Sequence, residues 1–77
     1  MGLKDIRAIK RHYERQPETL DIVVLQASTC TLLVLTDTDF ILHINNYGIS
    51  INKEEALYIA EDYGHLPALT SAIKMFR

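Results

Sequence analysis

Apolar positions along the chain change their period several times, and each change marks an element. Leu3, Ile6, Ile9 and Tyr13 fall within one arc at about 100° per residue, with Lys4, Arg7, Arg11 and Arg15 on the opposite side. This spacing predicts an amphipathic helix over 3–16, ended by Pro17, because the residue before a proline is pushed out of the α region.

The pattern then becomes that of strands. Thr19 to Gln26 and Thr31 to Thr36 are rich in β-branched residues and leucine, and Ala27-Ser28-Thr29-Cys30 lies between them as a chain reversal. Asp37-Thr38-Asp39 supplies short polar side chains that bond their own backbone in turns. A third strand follows over Phe40–Asn45, alternating Phe40, Leu42 and Ile44 against Ile41, His43 and Asn45. Asn46-Tyr47-Gly48 reads as a loop able to reach positive φ, and Ile49-Ser50-Ile51 as a short fourth strand.

Period 3.6 returns near residue 53. Asn52 with Glu55 three residues on has the form of a capping box, and Glu54 and Glu55 suit the positive end of a helix. Ala56, Ile59, Ala60 and Tyr63 recur at i, i+3, i+4 and i+7, and Gly64 follows as a C′ residue, which predicts a helix over 53–63. Pro67 fits the first turn of a last helix whose apolar stripe is Leu69, Ala72, Ile73 and Phe76.

The expected fold is α+β: an N-terminal helix, a three- to four-stranded antiparallel meander sheet and a C-terminal helical hairpin, in the order α-β-β-β-(β)-α-α. The first two strands, Ile22-Val23-Val24-Leu25 and Leu32-Leu33-Val34-Leu35, are apolar on both faces, so each face needs cover. All three helices on one side would leave Val23, Leu25 and their cross-strand neighbours for another chain, and that arrangement is favoured over a three-layer fold.

Size and composition narrow the classes. At 77 residues, with 48% hydrophobic and 23% charged residues, the chain (1–77) is expected to form a single domain with a packed core rather than a disordered segment. At this size about 60% of the unfolded surface is buried, a deficit that small domains often offset with a second subunit. One cysteine, Cys30, excludes an internal disulfide and fits a reducing compartment. The longest apolar run, Leu32–Leu35, is far short of the ~20 residues that cross a bilayer, so no membrane association is expected. Gly2 is followed by Ile6 where a myristoylation site has Ser or Thr, and no signal-like stretch follows; a cytoplasmic protein is expected. The net charge of −2 is uneven: Lys4, Arg7, Lys10, Arg11 and Arg15 against Asp5 and Glu14 make residues 1–16 +3 and the remainder −5.

Chemistry-bearing residues are scattered. Gly2, Gly48 and Gly64 are too far apart for a dinucleotide fingerprint or a phosphate-binding loop, and no hydrolase elbow, zinc helix or paired-cysteine motif occurs. His12, His43 and His65 fall on three elements without metal-ligand spacing. Nothing beside Cys30 would activate a thiolate, and turn chemistry and a solvated helix face account for Asp37 with Asp39 and Glu61 with Asp62. No enzyme activity, cofactor or metal is expected.

Ala60 with Gly64 four residues later, in the stretch Ala60–Ile73, resembles helix-turn-helix DNA-binding units over about a quarter of the chain. The stretch departs from that pattern at His65 and Thr70, and it offers Pro67, Ala68 and Leu69 where a recognition helix presents base-reading side chains.

The expectation is a small non-enzymatic interaction module: an adaptor, inhibitor or regulatory subunit. Its partner is another protein, acidic or donating an edge strand, and homo-oligomerisation is expected with a dimer favoured. The candidate contact residues are Lys4, Arg7, Arg11 and Arg15 on the basic helix, where arginine suits bidentate contact with carboxylates, and Val23, Leu25, Ile41 and His43 on the sheet. The alternative is a nucleic-acid-binding regulator using the arginine-rich helix or the C-terminal helical pair. Against it stand the acidic body, which repels a phosphate backbone, and strands whose one internal aromatic is Phe40.

Overall fold

The computed structural model describes residues 5–75, so the expectations placed on Leu3, Lys4 and Phe76 lie outside the described residues. Helix α1 spans Ile6–Glu14. Asp5 caps it by accepting the Arg7 N–H at 2.9 Å, and the Arg15 N–H closes it onto the Arg11 carbonyl.

Four strands follow: β1 (Thr19–Gln26), β2 (Thr31–Thr36), β3 (Phe40–Ile44) and β4 (Tyr47–Ile51). They form one sheet in the order β1-β2-β3-β4, every neighbouring pair antiparallel. A 3-10 turn over Ala27–Thr29 joins β1 to β2, with Cys30 in the left-handed region at φ 51°. Between β2 and β3 the Thr36 N–H reaches the Asp39 carbonyl at 3.0 Å. Helix α2 (Lys53–Asp62) starts with a complete capping box: the Glu55 N–H donates to Asn52 Oδ1 at 2.8 Å, and the Asn52 N–H donates to Glu55 Oε1 at 3.1 Å. Gly64, at φ 77°, ends it and turns the chain into α3 (Leu66–Met75). The predicted α+β meander with a C-terminal helical pair is therefore the observed fold.

The helices divide between the two faces of the sheet. On one face Val23, Leu25, Leu33, Leu35, Phe40 and Leu42 pack against Ala56, Ala60, Leu69, Ala72 and Ile73 of α2 and α3. On the other, Cys30, Leu32 and Val34 pack with Ile9 of α1, flanked by Ile6, Tyr13, Ile22 and Ile41. The one-sided arrangement expected from the sequence is thus corrected to three layers. Val23 and Leu25 are 9% and 6% exposed, covered by the chain's own C-terminal helices. The reason lies in the same doubly apolar strands: all six residues of β2 are buried, and the Ile6, Ile9 and Tyr13 stripe of α1 is what screens its second face. Ala56 and Ala60, both 0% exposed, let the backbone of α2 approach the sheet closely.

The β3–β4 hairpin also differs from expectation. The reversal is the two-residue Asn45-Asn46 turn, with Asn45 at φ 55°, and β4 starts at Tyr47 rather than Ile49. Gly48 is a strand residue opposite His43, not part of the loop.

Candidate functional site

The fourth strand is an edge, and it is the least covered part of the sheet. Its register pairs Tyr47 with Ile44, Ile49 with Leu42 and Ile51 with Phe40, so these three residues share the face on which α2 and α3 lie. Gly48 and Ser50 face the α1 side. Yet α2 reaches only the margin of β4: Ile49 is 56% exposed and Tyr47 75%, while Tyr58 of α2, which shares a recess with Ile49, is 73% exposed. Leu42, Ile49, Ile51, Tyr58 and Ile59 line an open recess of about 460 Å³, rimmed by Asn52, Glu54 and Glu55. Ile44, at 37%, extends the apolar strip past Tyr47.

The two edges of the sheet are built differently. β1 has register shifts at Thr19/Asp21 and Val24/Gln26 and carries a carboxylate, Asp21, which accepts its neighbour's N–H from Ile22 at 2.8 Å. Bulges and charges of this kind blunt an edge against pairing. β4, Tyr-Gly-Ile-Ser-Ile, has no charge, no proline and an unbroken register.

Side chains from three elements hold this hairpin. The Tyr13 hydroxyl of α1 is 2.9 Å from His43 Nδ1, and His43 Nε2 is 2.9 Å from the Asn45 carbonyl. A carbonyl oxygen can only accept, so Nε2 carries the proton and Nδ1 accepts from the phenol. The two rings meet edge to face at 5.4 Å. Partial burial pushes the Tyr13 phenol above its ordinary pKa. Gly48 makes room for this contact: a Cβ there would lie 2.8 Å from the Tyr13 hydroxyl. At the other end, Asp39 accepts from the Thr36 hydroxyl at 2.6 Å and the Ser50 hydroxyl at 2.8 Å, tying the β2–β3 turn to β4. Those two donors, Thr36 foremost, hold the Asp39 carboxyl below its ordinary pKa.

The residues singled out from the sequence are dispersed by the fold. Arg7, Arg11 and Arg15 are exposed on the outer face of α1, and Lys4 lies outside the described residues. Arg7 meets Asp5 at 3.6 Å in an ion pair open to solvent, the kind that contributes little. Val23 and Leu25 belong to the core, while Ile41 and His43 are half-buried beneath α1. The sheet residues named from the sequence therefore lie on no open surface. Tyr47, Ile49 and Tyr58, which do, were not among them. One signal was present: Tyr-Gly-Ile-Ser-Ile alternates large with small and carries no charge, the pattern of an amphipathic strand without a solubilising gatekeeper.

Elsewhere, α3 presents exposed Pro67 and Ala68 at its start and buries Leu69, leaving no hydrogen-bonding side chain for base edges there. Cys30 is buried in the α1-side core. Among the described residues no group of His, Cys, Asp and Glu side chains has the geometry of a metal site, and no helix is long and apolar enough to cross a membrane. No family model matches the chain, and comparison with curated proteins and with solved structures likewise gives no match.

Proposed function

We propose that the chain is a non-enzymatic interaction module, an adaptor or regulatory subunit, that recognises a partner protein by β-augmentation at β4. The partner supplies an extended segment whose main chain bonds the outer side of the strand. Its alternate apolar side chains settle against Ile49 and Tyr58.

The observation that carries this reading is the bulge-free, uncharged edge strand whose exposed apolar residues continue into the recess beneath α2. An edge in this condition is an invitation to pairing that soluble proteins otherwise suppress with lysine, proline or a bulge. The arginines of α1 lie on the opposite layer and form a separate contact surface, suited to acidic groups.

A photoreactive phenylalanine analogue at position 58 tests this in living cells, with the same analogue at position 11 as the comparison. A discrete protein adduct is expected from position 58. Adducts from position 11 alone, or from neither, overturn the β4 reading.

A further inference from the structure

Edge pairing leaves open which chain occupies β4, and the strand's own pattern is self-complementary. In a two-residue hairpin Ile44 and Tyr47 exchange both main-chain bonds, so the alternation of an antiparallel ladder points the N–H and C=O groups of Tyr47, Ile49 and Ile51 toward β3. Gly48 and Ser50 then direct theirs outward. A two-fold axis through Ile49 would set Gly48 of each copy opposite Ser50 of the other as hydrogen-bonded pairs. The same axis sets Ile49 against Ile49 as the close non-hydrogen-bonded pair. Tyr47 meets Ile51 twice on the face of α2, an aromatic with β-branched pairing of the sort that stabilises sheets. No charged residue of the strand meets a like charge, because β4 contains none.

We propose, resting on the reading of β4 as a docking edge, that its occupant is a second copy of this chain. The two β4 strands pair antiparallel about Ile49 into one eight-stranded sheet. Both α2 helices lie on one side of that sheet, so the two Tyr58 side chains approach the seam on the same face as Ile49.

The area available matches such a dimer. Tyr47 and Tyr58, at 75% and 73% exposure, with Ile49 at 56%, present at most ~400 Å² of surface per copy, most of it on apolar side-chain atoms. Adding the strand backbone and the recess rim brings the two copies to at most about 1,200 Å² in total, the lower end of specific stable interfaces. The dimer also removes the bare edge, leaving the bulged, carboxylate-bearing β1 at both ends of the joined sheet.

Sedimentation of the full chain from micromolar to millimolar concentration, with amide exchange read at single residues, decides the matter. Wild type is expected to reach twice the 8.8 kDa chain mass, with the Gly48 and Ser50 amides protected increasingly with concentration. Ile49→Lys places like charges opposite each other at the axis and is expected to weaken self-association at least ~10-fold with an unchanged circular dichroism spectrum. Leu20→Lys on β1 should leave it intact. A wild-type chain of monomer mass throughout overturns the proposal, as does a dimer in which the Gly48 and Ser50 amides exchange freely. The exchange data stand on the wild type alone should Ile49→Lys not fold. A monomer that still gives adducts of another mass from position 58 would sink the homodimer while sparing the docking edge itself.

Discussion

Gly48→Ala offers the sharpest test of how α1 is seated on the hairpin. Exchanging glycine for alanine inside a strand ordinarily gains about 0.5–1 kcal/mol, through the lower entropy of the unfolded chain. Here the new Cβ would stand 2.8 Å from the Tyr13 hydroxyl, closer than carbon and oxygen tolerate. The phenol must retreat by roughly half an ångström to reach ordinary contact, and that shift stretches its 2.9 Å bond to His43 toward about 3.4 Å, past the ordinary range for a strong bond. Losing the bond costs about 1 kcal/mol, and residual crowding of the ring about as much again. The net expectation is a loss of about 1 kcal/mol, or a fall in Tm of about 4–8 °C for a domain of this size.

The interaction is isolated by Tyr13→Phe. Alone it should cost about 1 kcal/mol, because His43 Nδ1 loses its donor in a half-buried place. In that background Gly48→Ala meets only Ile41 Cγ2 at 3.5 Å and His43 Nδ1 at 3.7 Å, both ordinary contacts. It should then become neutral or stabilising, giving a coupling of about 1–2 kcal/mol between the two positions. Urea denaturation of the four proteins at one low concentration measures it. If the two costs simply add, within about 0.3 kcal/mol, the phenol does not sit against Gly48 and the account of this hairpin is wrong.

Two further outcomes follow from named contacts. Asp39→Asn should cost about 1 kcal/mol at neutral pH, a modest figure because the carboxylate is only partly buried and water screens it. Since the folded state holds this carboxyl below the 3.8 of the free side chain, the stabilisation is present above that value and is lost as pH falls through the lower folded one. Wild type and variant should therefore converge on acidification in urea melts, and a difference that stays constant down to strong acid would refute the assignment. Asn52→Ala removes one half of the capping box and should lower stability by about 1 kcal/mol, while Asn52→Ser should largely retain it in thermal melts.

The order of elements was legible because each carries its own local signal: the strand composition of Thr19–Gln26, the capping pair Asn52 and Glu55, the helix-ending Gly64. What could not be read depends on contacts between distant segments. The stripe on α1 shows that the helix packs, but the side of the sheet it takes is decided by the short Arg15–Glu18 link and by which face α2 and α3 leave open. Gly48 resembled loop punctuation, and its reason, the Tyr13 hydroxyl, sits in α1. Tyr58 falls off the helical stripe of Ala56, Ile59, Ala60 and Tyr63, so periodicity did not single it out. Only the register placing Ile49 opposite Leu42 brings a strand side chain beside it.

The bare edge itself has a geometric cause. Four strands at about 4.8 Å span nearly 20 Å, while a single packed helix covers about 10 Å. On the α1 side this shortfall is harmless, because β4 presents only Gly48 and Ser50 there. On the other side α2 and α3 are wide enough in principle, but buried Ala56 and Ala60 draw α2 inward over β3, leaving Ile49 only partly covered and Tyr47 largely bare. Solubility alone would be served by a lysine or threonine at those places. An isoleucine and a tyrosine in an unbulged strand instead leave apolar surface that a monomer cannot cover and a second β4, presenting the same alternation in reverse, can.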